Sequence, residues 1–409
     1  MNRLSKFFVL VILLGVVVFK LHAQNVLKSD VQRNVLVSHN NLEFEVSKNY
    51  KSDLLSALRK AGKNSIELIN ALKQVKKEYL QAMCFLISNM PERDLRSLEA
   101  SYLVENVELA YKAKKTLPWG AKISKKMFFN YVLPYCVVNE RRDNWRQDFY
   151  KKFIGVVKDC NNTGDAAKTL NREMWDMIDV KYSRARPKPD QSPYESIRAK
   201  KASCTGLSVL LIDACRALCI PARFVGIPKW PHKRGNHSWV EVWANGQWNV
   251  LGAFETSPLN ETWFMRDAAK ADKTKLLNSV YAVSFENRNL KFPCIWNKNI
   301  DYISAVNVTD FYNKFAKNLN IEKMKCRFLI MVVDVSDKRI RRNVAIYKDG
   351  KRLFEGKSAS ELQDYNDILE FHLLKKQKYE IRIDGGSKTV SKLVTVTDKA
   401  VENYKIVLD

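Results

Sequence analysis

Long apolar runs are nearly missing from this sequence: after Phe7 to Phe19, no stretch is long and apolar enough to cross a bilayer, which takes about 20 residues. Histidine is scarce, with five residues dispersed along the chain and no acid-and-histidine cluster around any of them, which speaks against a metal centre. No long repeat and no low-complexity tract interrupts the sequence. Dense cysteine spacing is absent too. The eight cysteines (Cys84, Cys136, Cys160, Cys204, Cys215, Cys219, Cys294 and Cys326) are too scattered for a disulfide scaffold. Cys215 and Cys219 have the spacing of a metal half-site, but on a helix they share one face and no second half-site follows, so both read as core. No cofactor is expected.

What is present begins with Arg3 and Lys6, the apolar run, and then Lys20-Leu21-His22-Ala23, the pattern of a secretory signal peptide over residues 1–23 cut after the small Ala23. The mature chain would be exported to a periplasm or the cell exterior and would carry no membrane span. Its length of roughly 385 residues suggests two or three domains. The formal charge of +25 is spread in pairs such as Arg59-Lys60, Lys114-Lys115 and Lys375-Lys376. A diffuse distribution without an aromatic-interleaved stripe gives little support to nucleic-acid recognition. It suits a solvated surface, or anionic cell-envelope polymers as partners.

Apolar residues at helical spacing (Leu54, Leu55, Leu58, then Ile66, Leu68, Ile69, Leu72) predict a helical region over 24–116, broken at Asn89-Met90-Pro91. A mixed core is expected over 117–317. Beyond it, alternating runs such as Phe328 to Val333 and Tyr379 to Ile383, with turn signals at Asp349-Gly350 and Asp384-Gly385-Gly386, predict an antiparallel β-sandwich over 318–409.

Two residues carry the chemistry. Ser203 is a plausible N-cap for a helix with Leu207, Leu210, Leu211, Ala214 and Leu218 on its apolar face, which sets Cys204 in the first turn, where free backbone N–H groups favour a thiolate. Further on, His237 opens a strand that turns at Asn245-Gly246 into a hairpin. Alternation puts His237, Trp239, Glu241 and Trp243 on one face. An imidazole titrates in the range needed to take the thiol proton and return it to a leaving group. Trp230, Trp239 and Trp243 are candidate substrate contacts in a cleft, with Trp263 beside them. His232 is a second candidate base.

The segment from Trp119 to Phe264 resembles the transglutaminase-like superfamily, most strongly in Cys204-Thr205-Gly206, Gly226, Asn236-His237-Ser238-Trp239-Val240-Glu241-Val242 and Trp248, and it is also similar to the peptide N-glycanase branch. The resemblance implies an α+β, papain-like fold, with Cys204 as nucleophile and His237 as general acid and base. It also implies an Asp four positions after Trp248, where this chain has Gly252. Register counting across the turn brings Phe254 opposite His237, so Glu255 is the nearest substitute carboxylate. The alternative is a dyad, with Glu255 a solvated strand-end group. The family's chemistry would be amide or peptide hydrolysis, or acyl transfer to an amine, on a protein, peptide or cell-envelope glycopeptide or glycan. A degenerate, non-catalytic binding module is the competing expectation.

Overall fold

Helical and strand periodicity separate along the chain as the sequence pattern predicts. The computed structural model describes residues 34–40, 42–318, 325–386 and 388–408. The signal peptide expected over 1–23 lies outside the described residues. The chain divides into two compact units after Val104. In the first, strands β1 (Asn34–His39) and β2 (Leu42–Ser47) form an antiparallel hairpin, followed by helices Lys51–Ala61, Ser65–Gln74 and Leu80–Asn89. Leu54, Leu58, Leu68, Ile69 and Leu72 are buried, as their spacing requires, while Ile66 faces solvent. The third helix stops at Asn89 because Met90 precedes a proline and turns extended.

The second unit, from Glu105 onward, holds the candidate site. A short parallel pair, β3 (Lys181–Tyr182) and β4 (Lys201–Ala202), leads into the buried helix Cys204–Ala217. Then come β5 (Ala222–Ile227), β6 (His237–Ala244), β7 (Gln247–Leu251), β8 (Tyr281–Val283) and β9 (Ala305–Asn307), in one antiparallel sheet of order β7-β6-β5-β8-β9. Asn245 and Gly246 take φ of 54° and 77°, the two positive values that a tight hairpin turn demands. The sheet carries the Cys204 helix on one face. On the other, Val225, Ile227, Trp239, Val250, Phe264 and Tyr312 form a closed apolar cluster.

Beyond the helix Thr309–Asn318 the chain forms β10 (Lys325–Val333), β11 (Asn343–Lys348), β12 (Lys351–Lys357), β13 (Leu369–Leu374), β14 (Lys378–Asp384), β15 (Thr389–Thr395) and β16 (Val401–Val407). They make two sheets, β13-β10-β16 and β12-β11-β14-β15. Alternate residues of both sheets, among them Phe328, Ile330, Val332, Ile346, Ile381 and Ile383, enter one apolar cluster. These C-terminal pairings are antiparallel except β10 with β16, which run parallel because β16 returns to β10 from the far sheet.

A buried charge network ties these sheets to the core. Asp267, fully buried, accepts from His232 Nε2 at 2.7 Å, Lys233 Nζ at 2.5 Å and the Arg327 guanidinium of β10. Arg327 also bonds Glu370 of β13 at 2.6 Å. Burial alone would raise the Asp267 carboxyl, but the His232 hydrogen bond and the Lys233 and Arg327 charges outweigh it and hold it well below the usual carboxylate range. For Glu370 burial is likewise overcome by Arg327 and His372, which bring it down to about 2. Both shifts stabilise the fold above the ordinary carboxylate range, and that stability is lost as pH falls through the folded-state values. Asp267→Ala leaves Arg327 and Lys233 buried without this counter-charge. It should cost about 3–5 kcal/mol in urea denaturation at pH 7.

Candidate active site

Ser203 caps the helix as its position suggests: its hydroxyl oxygen accepts from the Gly206 N–H at 3.1 Å and donates to the Pro189 carbonyl at 2.6 Å. Cys204 is therefore the first helical residue. At the next residue, the Thr205 hydroxyl lies 3.2 Å from that of Ser238, locking the helix start against the start of β6. His237 heads β6, its Cα opposite Ile227. Cys204 and His237 line one pocket of about 190 Å³, together with Tyr182, Ser238, Phe254, Glu255, Trp263, Asp364, Asn366 and Asp367.

The position of Glu255 follows from a turn. Strand β7 ends at Leu251, and the Glu255 N–H returns to the Gly252 carbonyl at 3.1 Å with Phe254 at φ 69°, the type II pattern. A non-glycine residue in that region carries a cost of roughly 1–2 kcal/mol. Asn171, buried on helix Thr163–Ile178, holds the turn in place. Its Nδ2 donates to the Gly252 carbonyl at 2.9 Å and the Glu255 carbonyl at 2.7 Å, while its Oδ1 accepts from the Phe254 N–H and Trp175 Nε1 at 3.1 Å each. The turn folds the Glu255 side chain back over Gly252. A Cβ on residue 252 would lie 2.2 Å from Glu255 Cδ and 2.4 Å from both carboxyl oxygens. The Glu255 carboxyl thus fills the space that a side chain at 252 would occupy, and it bonds the Trp263 indole.

The electrostatics of the pocket follow from burial and from acid. Burial, then the Asp364 charge, pushes the Cys204 thiol up to about 11, against hydrogen bonds from Ser238 and the Arg186 charge. Burial brings the His237 imidazole down to about 3, opposed by Asp364. Burial also pushes the Glu255 carboxyl up to about 7, opposed by the Trp263 bond. At neutral pH the thiol and imidazole both rest uncharged. Neither His237 ring nitrogen, nor Glu255 Oε2, has a hydrogen-bond partner among the described residues.

The tryptophans are distributed otherwise than expected. Trp239 and Trp230 are fully buried and stack on the His237 ring, at 5.8 and 6.5 Å with 29° between planes, so they brace the imidazole instead of lining the pocket. Trp243 packs edge-on against Trp248 at 5.4 Å, at the hairpin end of β6 and outside the pocket. Trp263 is the indole that faces the pocket, 4.9 Å from the His237 ring. His232 is held by Asp267 and stands outside the pocket lining. Glu241 is committed to a buried ion pair with Arg223, at 2.5 Å, and accepts from the Tyr312 hydroxyl. Among the described residues no three His, Cys, Asp or Glu side chains stand together as a metal site. Asn171, Asp364, Asn366 and Asp367 escaped the sequence reading, since each reaches the site only through long-range folding.

Residues 154–253, which carry the capped cysteine helix and the histidine hairpin, match the family model of the transglutaminase-like superfamily. This segment is a transglutaminase-like core. Likeness to solved structures is looser. A candidate cysteine protease from Cytophaga hutchinsonii is 21% identical over 42% of this chain and 59% of its own, with a TM-score of 0.24. A candidate protease from Parabacteroides distasonis is 9% identical over 59% of this chain and 36% of its own, with a TM-score of 0.23. Red sea bream transglutaminase is 8% identical over 71% of this chain and 58% of its own, with a TM-score of 0.21. The chain thus spans less than two thirds of each of these proteins. A search of curated proteins finds no match.

If Glu255 occupies the space over Gly252, Gly252→Ala must displace it. The substitution should cost about 1–3 kcal/mol in wild type and under about 0.5 kcal/mol in a Glu255→Ala background, read as a double-mutant cycle by urea denaturation.

Proposed function

We propose that this chain is an exported transglutaminase-like thiol enzyme that acts on amide or peptide bonds, with water the more favoured acyl acceptor. The observation that carries the reading is the shared pocket of Cys204, at a capped helix start, and His237, with the Glu255 carboxyl over Gly252. The Cys204 sulfur attacks the carbonyl carbon as His237 takes the thiol proton. The helix-start N–H of Cys204 is a donor for the resulting oxyanion. Collapse expels the amine, which leaves with the proton from His237, and a thioester remains on Cys204. Water then attacks the thioester, giving a proton to His237, and the departing sulfur recovers it. Glu255 would favour the transient imidazolium once ionised. The substrate would be a protein, peptide or cell-envelope glycopeptide.

The neutral state of the resting pair favours a second reading, a binding or scaffold module at the cell envelope that has kept the fold without its chemistry. A thiol probe separates them. Iodoacetamide should alkylate Cys204 at least about tenfold faster in wild type than in His237→Ala, because the imidazole takes the proton as the sulfur attacks. Equal labelling in wild type and His237→Ala would support the binding module. Peptide release from a mixed peptide library, lost in Cys204→Ala, without incorporation of dansylcadaverine, would establish hydrolysis over transfer.

The pH profile tests Glu255. Since its folded-state value is about 7, activity should rise as pH passes about 7. In Glu255→Gln that inflection should vanish. The linkage sign is the reverse for stability: the raised carboxyl contributes below its unfolded value and loses that contribution as pH rises through about 7, so a thermal melting series should show wild type falling relative to Glu255→Gln.

A further inference from the structure

The pocket has a wall that the matched core does not supply. The 3-10 turn Tyr365–Asp367, which links the C-terminal strands β12 and β13, places Asp364, Asn366 and Asp367 against Cys204 and His237. We infer that Asn366 is a positioning residue for His237, so that the base is held in register from the C-terminal sheets; this rests on the Cys204–His237 reading above.

The geometry runs through two hydrogen bonds. Asn366 Nδ2 donates to the carbonyl of Asn236, the residue before His237, at 2.6 Å. Asn366 Oδ1 accepts from Trp230 Nε1 at 2.8 Å, and Trp230 is the ring stacked on the imidazole. One side chain thereby fixes both the backbone entering His237 and the indole beneath it. Between these anchor points the loop is closed on itself, the Trp230 N–H donating to the Gly235 carbonyl at 3.0 Å. Gly235, beside Asn366 and Tyr365, holds this loop at φ 96°, a conformation that side-chain-bearing residues rarely adopt.

The turn is itself rigidly held, as a positioning element must be. Asp364 and Asp367 form a reciprocal capping box around it. From the sheet side, Arg339 donates to the Gln363 carbonyl at 2.6 Å and the Asp364 carbonyl at 3.2 Å. From the β3 side, the Tyr182 hydroxyl donates to Asp364 Oδ2 at 2.9 Å and Arg184, beyond the pocket lining, to the Glu361 carbonyl at 3.0 Å. The strap from Glu361 to Asp367 therefore spans the pocket from the Tyr182 side to the His237 side. The His237 ring nitrogens, without partners among the described residues, leave the imidazole's place to be set by its backbone and the rings around it.

The test is a double-mutant cycle on the full chain, reading iodoacetamide alkylation of Cys204 at pH 8 by mass spectrometry of its peptide. Asn366→Ala should slow alkylation by about five- to tenfold in wild type and by less than about twofold in a His237→Ala background, because its effect passes through the imidazole. A purely structural loss would slow both backgrounds alike, and that result, or an unchanged rate in Asn366→Ala, overturns the inference. Should Asn366→Ala fail to fold by circular dichroism, the uncharged Asn366→Ser, too short to hold both Asn236 and Trp230, must show the same dependence on His237. If His237→Ala leaves the Cys204 rate unchanged, the Cys204–His237 reading itself falls and takes the inference with it. If His237→Ala slows alkylation but neither Asn366 variant does, only the inference falls.

Discussion

The site hangs on the position of one carboxyl group, that of Glu255, in the space above Gly252. Glycine leaves that space to the carboxyl, which any Cβ would have to displace. The carboxyl reaches that space only while the chain turns at Ala253 and Phe254, and the turn puts Phe254 at a positive φ that a phenylalanine does not adopt freely. Asn171 offsets this cost by satisfying three backbone groups of the turn with one buried amide, and the Phe254 ring adds an edge contact with Trp175 at 5.4 Å. Helix, turn and carboxyl therefore form one unit. Loosening Asn171 would release the carboxyl from the pocket as surely as removing Glu255.

Local signals in the sequence were sufficient for the parts of the site built by neighbours in the chain. Ser203 marks the helix start, Asn245-Gly246 marks the hairpin, and period-two counting from that turn leads from Trp243 and Trp248 to the neighbourhood of Glu255. The same alternation placed Trp239 with His237, but whether that face meets solvent or another layer is not written in a strand. Helices Met265–Ala268 and Thr309–Asn318 cover it, so Trp239 is core. Asn171 and Asn366 lie 81 and 130 residues from the backbone they hold, and nothing in their own surroundings distinguishes them from any other asparagine. The parallel pairing of β16 with β10 was hidden for a related reason: an alternating strand pattern fixes a buried face, not a partner or a direction.

The chain's charge balance makes the pocket more unusual. With a formal charge of +25, a random cleft would be expected to present lysine or arginine. The lining instead carries Glu255, Asp364 and Asp367, with no lysine or arginine among its residues. Acid and burial act together on Cys204, both disfavouring the thiolate, whereas on His237 they oppose one another, and burial wins. The capped helix start, which on its own would lower a thiol's pKa, is outweighed. Helix-terminus effects amount to about 0.3–1 kcal/mol, and removing a thiolate from water costs more.

These magnitudes constrain how a proton could move in the proposed chemistry. Raising a thiol from 9.0 to about 11 corresponds to about 3 kcal/mol against forming the thiolate alone, and the depressed imidazole faces a larger penalty against forming the imidazolium alone. Formed together the two ions attract, and at an effective dielectric of about 20 opposite charges about 4 Å apart recover about 4 kcal/mol. The attraction offsets only part of the two penalties, so even the ion pair is not a resting species. Transfer from the sulfur to the imidazole is then favoured when it accompanies attack on a carbonyl, where the thiolate charge passes at once to the oxyanion and the helix-start N–H. A pocket that keeps its thiol neutral at rest also protects it from oxidation, which proceeds through the thiolate. At Cys204, reactivity and quiescence would then be governed by the same desolvation.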